Sequence, residues 1–151
     1  MDKVNVVKGW FDFANNEISC AKHLLSMHPA PMEIICYHSE QAAEGELKGY
    51  LIFYNVEPPR TYELGMLCRM CMDIDKTFDE LMGPCGRLAR YGETIYPLVM
   101  QISDNDMKTA IADADRVMEF VLQSLQLTEE ITQDDDKQKD RQENAAGQQL
   151  T

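Results

Sequence analysis

An all-α, antiparallel up-and-down bundle of four long helices and one shorter helix is what this chain of 151 residues predicts. Three observations carry that reading. Apolar residues recur at helical rather than strand spacing along most of the chain. Prolines punctuate the periodic segments, and small polar residues stand where helices should open. No strand alternation, strand–turn–strand signal or internal repeat appears.

The first helix shows Val7, Phe11, Ala14, Ile18, Ala21 and Leu25 at intervals that place them on one stripe. His28-Pro29-Ala30-Pro31 ends it, because proline cannot continue a helix and biases its predecessor toward extended geometry. A second helix is predicted from about Met32 to Tyr54, stopping before Glu57-Pro58-Pro59. A third begins near Thr61, a residue type suited to an N-cap, with Glu63 in its first turn. Thr77-Phe78-Asp79-Glu80 has the form of a capping box and announces a fourth. Gly83-Pro84 should kink that helix or shift its start, and Gly92 and Pro97 mark its end. The last helix opens at Ser103-Asp104-Asn105-Asp106. It carries Met107, Ala110, Ile111, Ala114, Val117, Met118, Val121, Leu122 and Leu125 on one face. Beyond Leu127 large apolar residues almost vanish, which predicts a disordered or frayed tail. The domain expectation is therefore a helical bundle over residues 1–128 and an acidic, polar, disordered tail over 129–151.

The formal net charge of −12 is divided between these parts. From Glu129 onward seven acids face three bases, so the tail carries −4 and residues 1–128 carry −8. Holding duplex nucleic acid takes many phosphate-neutralising cations, so broad nucleic-acid binding is disfavoured; a local basic pocket remains compatible with this charge. No apolar run approaches the roughly 20 residues that span a bilayer, and the first residues lack a signal-peptide layout. A cytoplasmic setting and no membrane partner are the expectation. The five cysteines, Cys20, Cys36, Cys68, Cys71 and Cys85, read as buried reduced thiols. Cys68-x-x-Cys71 alone is half a zinc motif, with no second pair to complete it, so no metal site is assigned.

The most informative stretch lies in the second helix. Gln41, Glu44 and Lys48 share one stripe, extended by Tyr37 and Leu51 at either end. Polar groups in line with apolar ones suggest a stripe that is partly buried and must still hydrogen-bond. It reads either as a structural hydrogen-bonded stripe at a helix or dimer interface, or as part of a ligand-binding groove. Arg90 and Tyr91 form a second candidate, the guanidinium as a fork for phosphate and the ring as a stacking surface. An exposed arginine that ends a helix is the alternative reading. Trp10 reads as a core or interface anchor, and the ten methionines as adaptable packing.

These segments resemble the HEPN family of small all-helical proteins over roughly residues 5–127. Trp10, Ala14, Ala21, Leu24 and Leu25 are similar to its W-x3-A…A-x2-LL spacing. Gln41, Glu44, Leu47 and Lys48 fall on its Q-x-x-E-K-x-L-K pattern, with Gly45 in place of the first lysine. Thr61-Tyr62-Glu63-Leu64 resembles T-H-D-L, and Glu93-Thr94-Ile95-Tyr96-Pro97 resembles E-T-R-Y-P. A lysine, a histidine and an arginine of the family pattern are thus replaced, at positions facing its ligand groove. The resemblance implies a homodimer and candidate groove residues Gln41, Glu44, Lys48 and Tyr96. It also implies a nucleotide-like ligand or a nucleotidyltransferase partner encoded alongside, as in a toxin–antitoxin system.

Many HEPN toxins are metal-independent ribonucleases that use an arginine followed within a few residues by a histidine. Here His23, His28 and His38 all precede the first arginine, Arg60, so that order does not occur. Histidine matters because its unperturbed pKa lies near the working pH of a general acid or base. No P-loop, G-x-S-x-G, H-E-x-x-H or paired Glu-x-x-His pattern is present. The reading is a non-catalytic, dimeric binding module without a cofactor. The alternatives are a ribonuclease built on Arg90, Tyr91 or Tyr96, and a purely structural helical dimer.

Overall fold

The computed structural model describes residues 2–60, 63–92 and 101–148, with the side chains of 127–133 outside that description. Thr61, Tyr62 and the segment Glu93–Pro97, including Tyr96, lie outside the described residues. Five α-helices are present there: α1 (Lys3–Leu24), α2 (Met32–Phe53), α3 (Leu64–Ile74), α4 (Met82–Ala89) and α5 (Asp104–Gln148). A 3₁₀ helix, Lys76–Leu81, leads into α4. The fold is all-α, with no strand among the described residues.

Cross-helix contacts fix the direction of the first pair. Lys3 Nζ donates to the Phe53 carbonyl at 3.1 Å, and His38 Nδ1 lies 2.5 Å from Glu17 Oε2. As the position on α1 rises its partner on α2 falls, so the two helices run antiparallel. They approach closely because α2 carries Gly45 and Gly49 on the side facing α1. A β-carbon at Gly45 would stand 2.9 Å from Phe13 Cδ1, and one at Gly49 only 2.5 Å from Phe11 Cε1. Two aromatic rings of α1 therefore fill the space that side chains would take.

The caps explain where the helices stop and start. Asn55 adopts a left-handed φ of 61° just beyond α2. Its N–H bonds the Ile52 carbonyl at 2.9 Å, and the Val56 N–H bonds the Leu51 carbonyl at 2.9 Å. This double closure is a Schellman motif, with asparagine tolerating the conformation usually left to glycine. At α5, Asp106 N donates to Ser103 Oγ at 3.0 Å while Ser103 N donates to Asp106 Oδ2 at 2.9 Å. That reciprocal box is where the sequence predicts a cap.

The predicted box at Thr77 and Glu80 is corrected. Asp75 caps this region, accepting from Thr77 N at 3.0 Å and from Thr77 Oγ1 at 2.7 Å. The turn it opens is 3₁₀, and the α-helix starts only at Met82. Pro84 then sits in the first turn, where its missing N–H has no intrahelical acceptor to lose. The third helix opens after Glu63, whose side chain makes no cap bond.

The chain divides into two compact units, Met1–Glu119 and Phe120–Thr151. The core of the first contains Val7, Ala14, Ile18 and Ala21 of α1, as the stripe predicts, whereas Leu25 is exposed. It also holds Ile35, Leu47, Tyr50, Leu51, Leu67, Phe78 and Leu88, with Met107, Ala110, Ile111, Ala114, Val117 and Met118 of α5. In the second unit α5 continues to Gln148, where the sequence predicts a disordered tail. Residues 128–148 contain no proline and one glycine, and glutamine, glutamate, lysine, arginine and alanine all favour a helix. Residues 134–148 are exposed on every side of it.

Two stability predictions follow from this packing. Removing residues 134–151 should move the melting temperature by no more than about 2 °C, because nothing described there is buried; differential scanning calorimetry decides it. Gly49→Ala should cost roughly 1–3 kcal/mol by pressing into the half-buried Phe11 ring. Gly45→Ala should be close to neutral, since the exposed Phe13 ring can move and alanine gains about 1 kcal/mol of helix propensity. Equal losses in urea denaturation would show that the two rings are equally immobile.

Candidate binding groove

Between the outer edges of α1 and α2 runs a groove of about 530 Å³. Asn5, Val6, Gly9, Trp10 and Phe13 form its α1 side, and Gln41, Glu44 and Lys48 its α2 side. Trp10 and Phe13 meet edge to face, ring centroids 6.0 Å apart at 86°. The antiparallel register brings these rings opposite the polar stripe. The three α2 residues named from the sequence are thus gathered in one place.

The stripe hydrogen-bonds to itself. Lys48 Nζ donates to Glu44 Oε1 at 2.7 Å, and Gln41 Nε2 donates to Glu44 Oε2 at 3.0 Å and to Glu40 Oε2 at 2.8 Å. Both Glu44 oxygens are therefore engaged. The Glu44 and Lys48 side chains are only 4% and 8% exposed, so this is a buried ion pair rather than a solvated one. Lys48 Nζ also lies 5.3 Å from the centre of the Trp10 ring, a cation–π distance. The stripe is thus tied together by its own hydrogen bonds, and its edge lines the groove.

Gly45, where the sequence resemblance leads one to expect a lysine, faces an aromatic ring. The Phe13 ring lies against it, and any side chain there would displace the groove's aromatic wall.

Two buried carboxyls on α2 were not singled out from the sequence. Burial pushes Glu40 up to about 7, opposed by its bond from Gln41; its carboxyl also packs beside Gly92. Burial alone pushes Glu46 up to about 8, and its Oε2 has no hydrogen-bond partner among the described residues. Acidic letters in a helix look like a solvated face, so only the tertiary packing reveals them. Glu17 and His38, paired across α1 and α2 at the same seam, were also missed; they stand 21 positions apart and share no motif.

Arg90 and Tyr91 are not part of this groove. They line a separate cleft of about 130 Å³ with Arg87, Asp106, Thr109 and Asp113. The guanidinium of Arg90 lies 4.6 Å from the centre of the Tyr91 ring, donates to its hydroxyl, and meets Asp106 Oδ1 at 3.5 Å. Arg87 grips Asp113 through two bonds of 2.9 Å. Tyr91 also hydrogen-bonds the Cys36 thiol, which burial pushes up to about 11. Two arginines facing two aspartates leave no net positive charge. The fork and the stacking surface named from the sequence thus stand side by side, in contact with each other.

Four thiols, Cys36, Cys68, Cys71 and Cys85, are buried as predicted, whereas Cys20 is exposed on α1. Among the described residues no cluster of histidine, cysteine, aspartate or glutamate is placed to hold a metal ion. No helix there is long and apolar enough to cross a membrane.

An all-helical bundle with an aromatic, polar-floored groove between its first two helices is the class that fold and site define. The HEPN domain model matches residues 7–127, and the chain belongs to that family. The crystal structure of an archaeal HEPN homologue is similar, with a TM-score of 0.62 at 21% identity. The match covers 78% of this chain and 96% of that one, and speaks to the fold alone. No curated protein gives a significant match.

The buried groups set two tests. Lys48→Met should cost roughly 3–5 kcal/mol, because Glu44 is left as an uncompensated buried charge. Adding Glu44→Gln should recover most of that loss in urea denaturation. The second test is pH. Glu40 and Glu46 hold their protons more tightly folded than unfolded, where a carboxyl has its ordinary value near 4.5. Between that value and about 8 the native state binds more protons, so stability should fall as pH rises. The fall attributable to Glu46 should be on the order of a few kcal/mol and should level off above its folded value. Glu46→Gln should flatten the curve; an unchanged slope would mean that the carboxyl is ionised at neutral pH.

Proposed function

We propose that this HEPN domain is a non-catalytic binding module whose working surface is the α1–α2 groove. The observation that supports it most is the junction of a partly exposed aromatic wall with a polar floor in which both Glu44 oxygens are hydrogen-bonded. Such a surface offers stacking area beside a lysine and a glutamate that are already paired. Ligand pockets commonly span about 300–1,000 Å³, and this groove lies in that range. A nucleotide-like ligand or a partner protein, such as a nucleotidyltransferase in a toxin–antitoxin pair, is the class of occupant that the family pattern suggests. A homodimer is proposed on the same ground.

Two features weigh against a ribonuclease. The only histidine partnered in the bundle, among the described residues, is His38, and its partner is the Glu17 carboxylate rather than an arginine. The arginines Arg87 and Arg90 are engaged with Asp113, Tyr91 and Asp106 in a cleft apart from the groove. An RNA phosphate entering that cleft would meet both aspartates, in a chain whose net charge is −12. Loss of a general acid or base costs a reaction of this kind roughly 10²–10⁴-fold.

The purified protein should therefore leave labelled RNA intact. Cleavage that disappears in Arg90→Ala would replace this proposal with the nuclease reading. Light scattering should give about twice the chain mass of 17.3 kDa at micromolar concentration; a mass of one chain would remove the homodimer from the proposal.

A further inference from the structure

We infer that the α1–α2 groove takes a ligand anchored by an uncharged, planar heteroaromatic ring that carries an N–H donor. This rests on the reading of the groove as a binding surface, and deepens it by stating the chemistry of the ligand.

The lining disfavours charge of either sign. Lys48 Nζ sits 2.7 Å from Glu44 Oε1, so an anion gains no uncompensated cation from it. Both Glu44 oxygens are taken, one by Lys48 and the other by Gln41 at 3.0 Å, so a cation finds no open carboxylate. The Trp10 ring already faces an ammonium, with Lys48 Nζ 5.3 Å from its centre. A second cation brought to that face would be repelled by the first. Among the described residues no other titratable side chain lines the groove. An uncharged ligand is the one that strips neither member of the buried pair of its partner.

One polar atom of the floor is left to be read. Gln41 Nε2 spends both of its N–H groups, on Glu40 Oε2 at 2.8 Å and on Glu44 Oε2. Two carboxylates on the nitrogen also settle which way the amide points, since the flipped amide would turn its oxygen toward both. Gln41 Oε1 accepts no hydrogen bond among the described residues. The enclosed side-chain oxygen left unbonded there is Glu46 Oε2 alone, so Gln41 Oε1 opens to solvent where its residue lines the groove. It is an acceptor held in one orientation, and it asks for a donor.

The wall asks for a flat ring. Trp10 and Phe13 meet edge to face, and Phe13 is 37% exposed. A heteroaromatic ring can lay its face on this wall and turn its N–H edge to Gln41. An aliphatic group would cover the same surface and leave the acceptor without a donor. The groove, at about 530 Å³, leaves room for a substituent beyond the ring.

The single tryptophan is the reporter, because the Trp10 indole N–H gives one resonance in a nitrogen–proton correlation spectrum of the full chain. The probes, titrated at neutral pH, are benzimidazole, its carboxylate and aminomethyl derivatives, and benzoxazole, in which an oxygen replaces the N–H. Benzimidazole should bind roughly three- to tenfold more tightly than benzoxazole, the worth of one neutral hydrogen bond. Neither charged derivative should bind more tightly than the parent, and added salt should leave the parent's affinity unchanged. In Gln41→Met the advantage of benzimidazole should vanish, while benzoxazole binds as before and the circular-dichroism spectrum stays helical. Benzoxazole binding as tightly as benzimidazole to the unaltered chain would overturn this ligand and leave the groove as a binding surface. A charged derivative bound about tenfold more tightly than the parent would overturn the uncharged ring on the same terms. No movement of the Trp10 resonance with any probe would overturn both the ligand and the groove reading.

Discussion

The close approach of α1 to α2 is the constraint from which the rest of this molecule's chemistry follows. Gly45 and Gly49 leave the facing surface of α2 bare, and Phe13 and Phe11 fill what side chains would have occupied. With the helices so close, residues on the outer edge of α2 lose water. Glu44 and Lys48 become a buried pair, and Gln41 is drawn in to satisfy the second oxygen of Glu44. Buried charges persist only when paired and hydrogen-bonded. The polar stripe is thus a consequence of helix spacing, and so is the wall of the groove, since the ring that covers Gly45 is the ring that lines it.

That arrangement shapes what the site can do. Lys48 is held by Glu44 and lies near the Trp10 face. The second cleft repeats the pattern on the other side of the sequence: Arg87 is tied to Asp113, and Arg90 to Tyr91 and Asp106. In both places cations are consumed by the fold's own carboxylates. That pairing of the cations is one of the grounds on which the binding role is proposed.

Much of this was legible in the sequence because the signals were local. The stripe of Val7, Ala14, Ile18 and Ala21 needs only helical periodicity, and all four are buried. The box at Ser103 and Asp106 lies within one turn of chain, and both bonds form. What escaped depended on contacts distant in sequence or on competition between neighbours. Asp75 outcompeted the Thr77 box because its carboxylate reaches both the amide and the hydroxyl of that threonine. The helical continuation of α5 to Gln148 was hidden by reading low apolar content as disorder, although that stretch also lacks helix breakers. Gln41, Glu44 and Lys48 could be grouped because they share one helix face. That Arg90 and Tyr91 belong to another cleft, and that Trp10 and Phe13 complete the groove, required the register between helices.

Gly45 shows how a departure from a family pattern acquires a physical meaning. In sequence it is a lost lysine, and the natural inference is a weakened anion site. In the structure it is the position over which Phe13 lies, near the Trp10 carbonyl. Restoring a lysine at that position would require the Phe13 ring to leave, opening the aromatic wall as it added a charge. Glycine there and the aromatic wall are therefore geometrically linked across the two helices. Glycine at 45 lets the ring lie over α2 beside the buried Glu44–Lys48 pair.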